Sequence, residues 1–183
     1  RQPSLQVSFP RLVELPFDSE RKRMTTVHSL HGVDPTILAG LEIGDHRYIA
    51  FTKGSVDGLL AVSSRVWVNG SSRDMEALFR HQIEAANDRL AEKGMRVLGV
   101  AFQLMTELPE ALQTDLERDL TFVGLFGMID PPRKAAIAAI RNCHSAGIRV
   151  KMITGDHAIT ALAIARQIGL SAGRALTGSE LAG

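Results

Sequence analysis

The chain opens with three stretches dominated by apolar and β-branched residues: Leu5 to Leu15, Arg23 to Leu30 and Arg47 to Thr52. Each is short and bounded by turn-forming residues, the pattern of β-strands. In the first, Val7, Phe9, Arg11, Val13 and Leu15 share one face, mostly apolar. The connection from Gly32 to Gly44 holds Asp34-Pro35 and three glycines, which predicts a long exposed loop. After Gly54 the period changes. Val56 to Val62 fits a short helix, Val66-Trp67-Val68 a strand, and Asn69-Gly70 a hairpin turn. From Asp74 to Lys93 the apolar residues Met75, Leu78, Phe79, Ile83, Ala86 and Leu90 recur at three- and four-residue spacing, with Ser71 and Asp74 in capping-box register and Gly94 as the stop.

Met95 to Leu104 reads as a buried strand, because its apolar residues run together without clean alternation. A polar segment from Pro109 to Asp119 leads to a second apolar strand, Leu120 to Ile129, which stops at Asp130-Pro131-Pro132. Beyond it the order is a helix from Lys134 to Ser145, a strand from Ile148 to Ile153, and a helix from Ala158 to Ile168, with Gly147 and Gly169 as stops. The expected architecture is α+β: an antiparallel sheet flanked by helices, followed by a partial, Rossmann-like α/β fragment. The boundary is expected near Leu120 to Asp130, and two strands with two helices cannot by themselves cover a parallel sheet on both faces.

Composition narrows the class of protein. Of 183 residues, 45% are hydrophobic and 22% charged, which excludes a disordered or low-complexity chain. Lys plus Arg number 21 against 20 Asp plus Glu, so the whole-molecule field favours neither nucleic acid nor an anionic membrane, and any polyanion must be met locally. Cys143 is the only cysteine, so neither an internal disulfide nor a cysteine-clustered zinc site is expected. No apolar run approaches the roughly 20 residues of a membrane-spanning helix, and the first residues lack signal-peptide form, so composition alone suggests a cytosolic domain.

Candidate chemistry gathers at a few strand ends. In Phe17-Asp18-Ser19-Glu20-Arg21-Lys22-Arg23-Met24, two acids and three cations follow an aromatic ring. The run suits a solvated strand edge, and equally a site where Phe17 faces a base and Lys22 meets a phosphate or ring nitrogen. Lys53-Gly54 follows a strand, where glycine permits close approach and lysine needs water or an acceptor. Arg96 opens another strand. Thr154-Gly155-Asp156 lies at a strand-to-helix turn, suited to a phosphoryl group and Mg²⁺ or simply to capping a helix through Asp156. Asp130-Pro131-Pro132-Arg133 either caps the next helix through Asp130 or stiffens a junction. There is no Gly-x-x-x-x-Gly-Lys-Ser/Thr loop and no Gly-x-Gly-x-x-Gly after a strand, and the six histidines lack metal-ligand spacing.

Taken in order, these motifs resemble the P-type ATPases, the cation pumps that pass through an aspartyl-phosphate. Pro16 to Met24 resembles the segment around that family's adenine-stacking phenylalanine, and Lys53-Gly54-Ser55-Val56-Asp57 is similar to its Lys-Gly-Ala-Pro-Glu motif. Gly94-Met95-Arg96-Val97-Leu98 resembles the strand whose arginine reaches the nucleotide phosphates. Asp130-Pro131-Pro132-Arg133 and Met152-Ile153-Thr154-Gly155-Asp156 resemble the hinge and phosphoryl-binding motifs of the phosphorylation domain, which has a haloacid-dehalogenase-like fold.

The resemblance implies a nucleotide-binding portion over residues 1–122 and the start of a phosphorylation domain over residues 123–183. By it, Phe17 stacks on adenine, Lys22, Met24, Lys53, Gly54 and Leu98 line the pocket, and Arg96 reaches the phosphates of ATP, which is substrate. Thr154, Gly155 and Asp156 then face the γ-phosphate and the Mg²⁺ used by the full-length protein. Ser19 stands where many calcium pumps have arginine, and Val56-Asp57 replaces Pro-Glu. The Asp-Lys-Thr-Gly-Thr segment with the phosphorylated aspartate is absent, as are the Gly-Asp-Gly-x-Asn-Asp and Thr-Gly-Glu motifs, so no catalytic nucleophile and no metal ligand set is assigned here. The implied protein is part of a longer multi-pass membrane chain. This part would lie on the cytoplasmic side, with ATP and the remaining domains as partners and no nucleic acid, and Ca²⁺ is the ion the resemblance points to first. A soluble phosphatase-like hydrolase and a non-catalytic nucleotide-binding or interaction module are the alternatives.

Overall fold

The computed structural model describes residues 9–34, 40–110, 116–129, 131–155, 158–170, 173, 175–176 and 180. Among these lie seven strands, β1 (Arg11–Asp18), β2 (Arg23–Ser29), β3 (Tyr48–Gly54), β4 (Ser63–Val68), β5 (Ser71–Asp74), β6 (Arg96–Met105) and β7 (Leu120–Met128). The four helices are α1 (Val56–Val62), α2 (Ala77–Glu92), α3 (Lys134–Ser145) and α4 (Ala158–Gln167). The strands form one sheet in the order β1-β2-β3-β6-β7-β4-β5, so the architecture is mixed α+β.

The chain divides into two compact units, Arg1–Glu84 with Leu98–Phe126, and Ala85–Val97 with Gly127–Gly183. In the first, β1, β2, β3 and β6 pair antiparallel, and Val27, Ala50 and Met105 point to one face with Leu15. On that face Leu116 completes a core in which Val27, Ala50 and Leu116 are wholly buried. Helix α1 starts cleanly because the Ser55 hydroxyl accepts from the amide of Gly58 at 3.2 Å. Leu59 and Leu60 of α1 are buried, and Gly99 leaves room for Leu59 and Phe122, since a Cβ there would sit 2.9 Å from the Leu59 side chain.

In the second unit, Gly94, Gly147 and Gly169 have φ of +76°, +73° and +81° and stop α2, α3 and α4 as expected. The residue after each closes the helix, with Met95, Ile148 and Leu170 donating to the carbonyls of Leu90, Cys143 and Ala165. Thr160 of α4 donates to the Met95 carbonyl at 3.2 Å, and Gly94 lies against Gln167 and Ala163.

Several expectations are corrected. Ser71 and Asp74 do not cap α2 but form β5, because Asn69 and Gly70, both at positive φ, make a tight turn that sends the chain back along β4. The first strand runs later than expected, over Arg11–Asp18, and the part of that expectation on residues 1–8 lies outside the described residues. The sheet is mostly antiparallel as expected, with one parallel pair, β7 against β4, in which Val66 lies opposite Phe122. Residues 148–153 are irregular, with Ile148 and Ile153 exposed, because no strand among the described residues lies beside them to take their backbone hydrogen bonds. The cap position of α3 is Arg133, without a side-chain hydrogen bond, because two prolines disfavour helix in the residues just before them. Asp130 lies outside the described residues.

Candidate nucleotide-binding face

Strand register places four of the sequence-predicted site residues together. Met24 pairs with Lys53, and Lys53 with Val100, so these three point to one face of the sheet, opposite to the core cluster. Leu98, two residues before Val100, shares that face by alternation. Phe17 joins them through a bulge. Leu15 pairs with Thr25 and Asp18 with Arg23, so β1 has one residue more than β2 between those pairs. The extra residue resets the alternation and carries Phe17 away from the face of Leu15 to that of Met24. The ring is 64% exposed, as a stacking platform requires and a core residue would not be.

The turn between β1 and β2 is built by Asp18. Its Oδ1 accepts the amides of Glu20 and Arg21, both at 2.9 Å, and its carbonyl accepts the amide of Lys22 at 2.7 Å. The Arg21 amide chiefly holds the Asp18 carboxyl below its ordinary value, and with the Glu20 amide and the Arg21 charge it outweighs the opposing effect of burial. Lys22 leaves this turn at φ +54° and is exposed.

The three consecutive cations separate. Arg21 Nη1 and Arg23 Nε donate to Glu117 Oε2 at 2.5 and 2.8 Å, and Thr25 Oγ1 donates to Glu117 Oε1 at 2.8 Å. Glu117 is 3% exposed. Burial pushes its carboxyl up, but hydrogen bonds from Arg21, Thr25 and Arg23, with the Arg21 charge, outweigh that and hold it below its ordinary value. Among the described residues Lys22 and Lys53 have no ion-pair partner. The two arginines thus share one internal carboxylate, whereas the two lysines have no such partner among the described residues.

Gly54 closes the site from beneath. The amide of Ser55 donates to the Lys22 carbonyl at 2.9 Å, which ties the turn to the end of β3. A Cβ on Gly54 would sit 2.5 Å from that carbonyl oxygen and 2.8 Å from the Cα of Arg23. Both obstacles are backbone and cannot swing aside. Gly54→Ala is therefore expected to cost about 1–3 kcal/mol by forcing β2 and β3 apart. Thermal melting checks this, and an unchanged midpoint would show that the two strands separate there freely.

Glu117 is the residue that sequence reasoning missed, since it lay in the segment read as a polar connection. The available signal was Arg21 and Arg23 flanking Lys22 at the start of a strand whose alternate residues are buried: inward-facing cations require a buried acid. Of the other predicted residues, Arg96 opens β6, is exposed and falls in the second unit. Pro131, Pro132 and Arg133 precede α3 in irregular backbone, and Thr154 and Gly155 precede α4. Asp156 lies outside the described residues. A cleft of about 550 Å³ occurs in the first unit at the other end of β2 and β3, between Ser29 and Tyr48, away from Phe17 and Lys53. The cleft is lined by His31, His46, Arg47 and Tyr48 among others, and none of the sequence-predicted site residues lies in it.

An open sheet face with an exposed ring, apolar walls and two unpaired ammonium groups is suited to a planar base bearing phosphates. Comparison with known proteins shows the family. The sequence profile of "P-type ATPase, cytoplasmic domain N" matches residues 2–135. The chain belongs to the P-type ATPase family. It is 38% identical over 179 residues to calcium-transporting ATPase 1 of Lactococcus lactis, covering 97% of this chain and 19% of that protein. It is 40% identical over 185 residues to cation-transporting ATPase pma1 of Synechocystis, covering 99% of this chain and 19% of that protein. Similarity extends to the sodium/potassium-transporting ATPase subunit alpha of Tetronarce californica, 37% over 169 residues, covering 88% and 16%. The chain thus spans about a fifth of the length of the curated relatives it matches.

Proposed function

We propose that this chain binds ATP on the exposed sheet face at the β1–β2 turn and presents its phosphates to a phosphorylatable aspartate elsewhere in a longer cation-transporting P-type ATPase. The observation that carries the reading is Phe17 standing exposed on the face of Met24, Lys53 and Leu98, with Lys22 and Lys53 left unpaired while Glu117 takes up the neighbouring arginines. Adenine stacks on Phe17, with Met24 and Leu98 as apolar walls. Lys22 and Lys53 meet the nucleotide's acceptors, and Gly54 lets the turn and β3 stay in contact. Arg96 reaches the phosphates.

Residues 1–122 form the nucleotide-binding portion in this reading and residues 123–183 the start of the phosphorylation domain, with Asp130 to Arg133 as the hinge. Thr154, Gly155 and Asp156 serve the γ-phosphate. Among the described residues no three His, Cys, Asp or Glu side chains gather as a metal site, and Asp156 lies outside them, so no step is assigned to Mg²⁺. The parent protein couples ATP hydrolysis to cation transport across a membrane, with this part of it on the cytoplasmic side. Ca²⁺ is the first candidate, in line with the name of the Lactococcus relative. No helix among the described residues is long and apolar enough to cross a membrane.

The 183-residue chain is expected to bind ATP without turning it over, since it carries no Asp-Lys-Thr-Gly nucleophile segment. Amide shifts during an ATP titration test the site. They should concentrate at residues 17, 22–24, 53–54 and 98; shifts confined to the cleft near Tyr48 would contradict the assignment, and steady phosphate release would contradict the absence of turnover.

A further inference from the structure

Glu117 belongs to none of the motifs that point to the nucleotide, yet its carboxylate anchors the turn that carries them. Both arginines that bind it have a second arm. Arg21 Nη2 donates to the carbonyl of Pro16 at 2.9 Å, the residue before Phe17. Arg23 Nη1 donates to the carbonyl of Arg21 at 3.3 Å and to that of Gly58 in α1 at 3.5 Å. One buried carboxylate thereby holds the backbone on both sides of Lys22, the bulge that bears Phe17, and the helix that follows Lys53-Gly54-Ser55. Its other oxygen is fixed by Thr25, whose hydroxyl lies 2.9 Å from that of Thr52 on β3. Lys22 sits at φ +54°, a conformation a lysine keeps only where its neighbours hold it. Phe17 and Lys22 are both exposed, and the hydrogen bonds that fix their backbone come from the buried side.

We infer that Glu117 is a positioning residue for nucleotide binding: through Arg21 and Arg23 it holds residues 16–23 so that Phe17 and Lys22 form a preformed site. It does not touch the nucleotide itself. The inference rests on the nucleotide reading of the sheet face. It makes a distinctive claim, because the benefit of a preformed turn is felt only where the side chains it positions are present. Without the clamp the binding-competent turn is a fraction of the population, and apparent affinity falls by that fraction.

The test is a double-mutant cycle. ATP is titrated calorimetrically into the 183-residue chain as wild type, Phe17→Ala, Glu117→Gln and the double variant, with amide exchange at Arg21 and Lys22 followed alongside. Glu117→Gln is expected to weaken ATP binding about tenfold when Phe17 is present and by no more than about twofold when it is absent, with faster exchange at both amides. Equal losses in the two backgrounds would mean a general structural contribution and overturn the inference. Wild-type affinity in Glu117→Gln, alongside weakened binding in Phe17→Ala, would overturn it while leaving the nucleotide site intact. Wild-type affinity in Phe17→Ala would overturn the nucleotide reading, and this inference with it. If Glu117→Gln fails to fold, Arg21→Gln, at a partly exposed side chain, is read in the same cycle by the same criteria.

Discussion

Glu117→Ala is expected to destabilise the chain by about 3 kcal/mol, because removing one partner of a buried ion pair leaves the others uncompensated. The figure sits at the lower end of the usual range for such a deletion, since the Arg21 and Arg23 side chains keep 27% and 16% of their surface in water. For a domain of this size that corresponds to a fall of about 6–12 °C in the melting midpoint. The effect has a signature in pH. Hydrogen bonds and the Arg21 charge hold the folded-state carboxyl below its ordinary value of 4.5 despite burial. The stabilisation is therefore complete above the unfolded-state value and is lost as the pH falls through the lower folded-state value. Wild type and Glu117→Ala should differ most near neutrality and converge in acid. Melting curves recorded from neutral to acidic pH check both parts, and a gap that stays constant across that range would contradict the ion-pair explanation.

Much of the fold was legible in the sequence because local rules acted alone. Strands β2, β3, β6 and β7, the short helix α1, and the glycine stops of α2, α3 and α4 all follow from period and turn chemistry. The Asn69-Gly70 turn is equally plain, and a tight hairpin turn obliges the next residues to pair with the strand before it. Those residues became β5 rather than a helix cap. The stretch 148–153 shows the opposite limit. Its apolar, β-branched residues have strand character, but a strand exists only with a neighbour to pair with.

The candidate site was half legible for the same reason. Phe17, Lys22 and Lys53 could be named from residue type and order. That Phe17 shares a face with Met24 and Lys53 depends on one bulge in β1, and simple alternation from Leu15 would have sent it to the core side. That Lys22 is the free cation of its run depends on Glu117, which is distant in sequence and reaches the turn only once the sheet has formed. Long-range pairing decides which two of three neighbouring charges are structural and which one is available to a ligand.

Phe17→Ala is expected to cost ATP binding about 1–3 kcal/mol, the usual value of one base stacked on an aromatic side chain. Because the ring is 64% exposed and supports no core contact, the melting midpoint should hardly move. Affinity and stability thus separate at this position, whereas at Gly54 and Glu117 they fall together. Lys22 and Lys53 contribute charge, but an exposed ammonium meeting a phosphate in water is worth less than the stacked ring. The most direct measurement is calorimetric titration of ATP into the wild-type chain and Phe17→Ala under identical salt. Saturable binding by the wild type, weakened about fivefold or more in the variant at an unchanged melting midpoint, is the predicted result. Equal affinity in the two proteins, or no saturable binding by the wild type, would contradict a nucleotide site on this face.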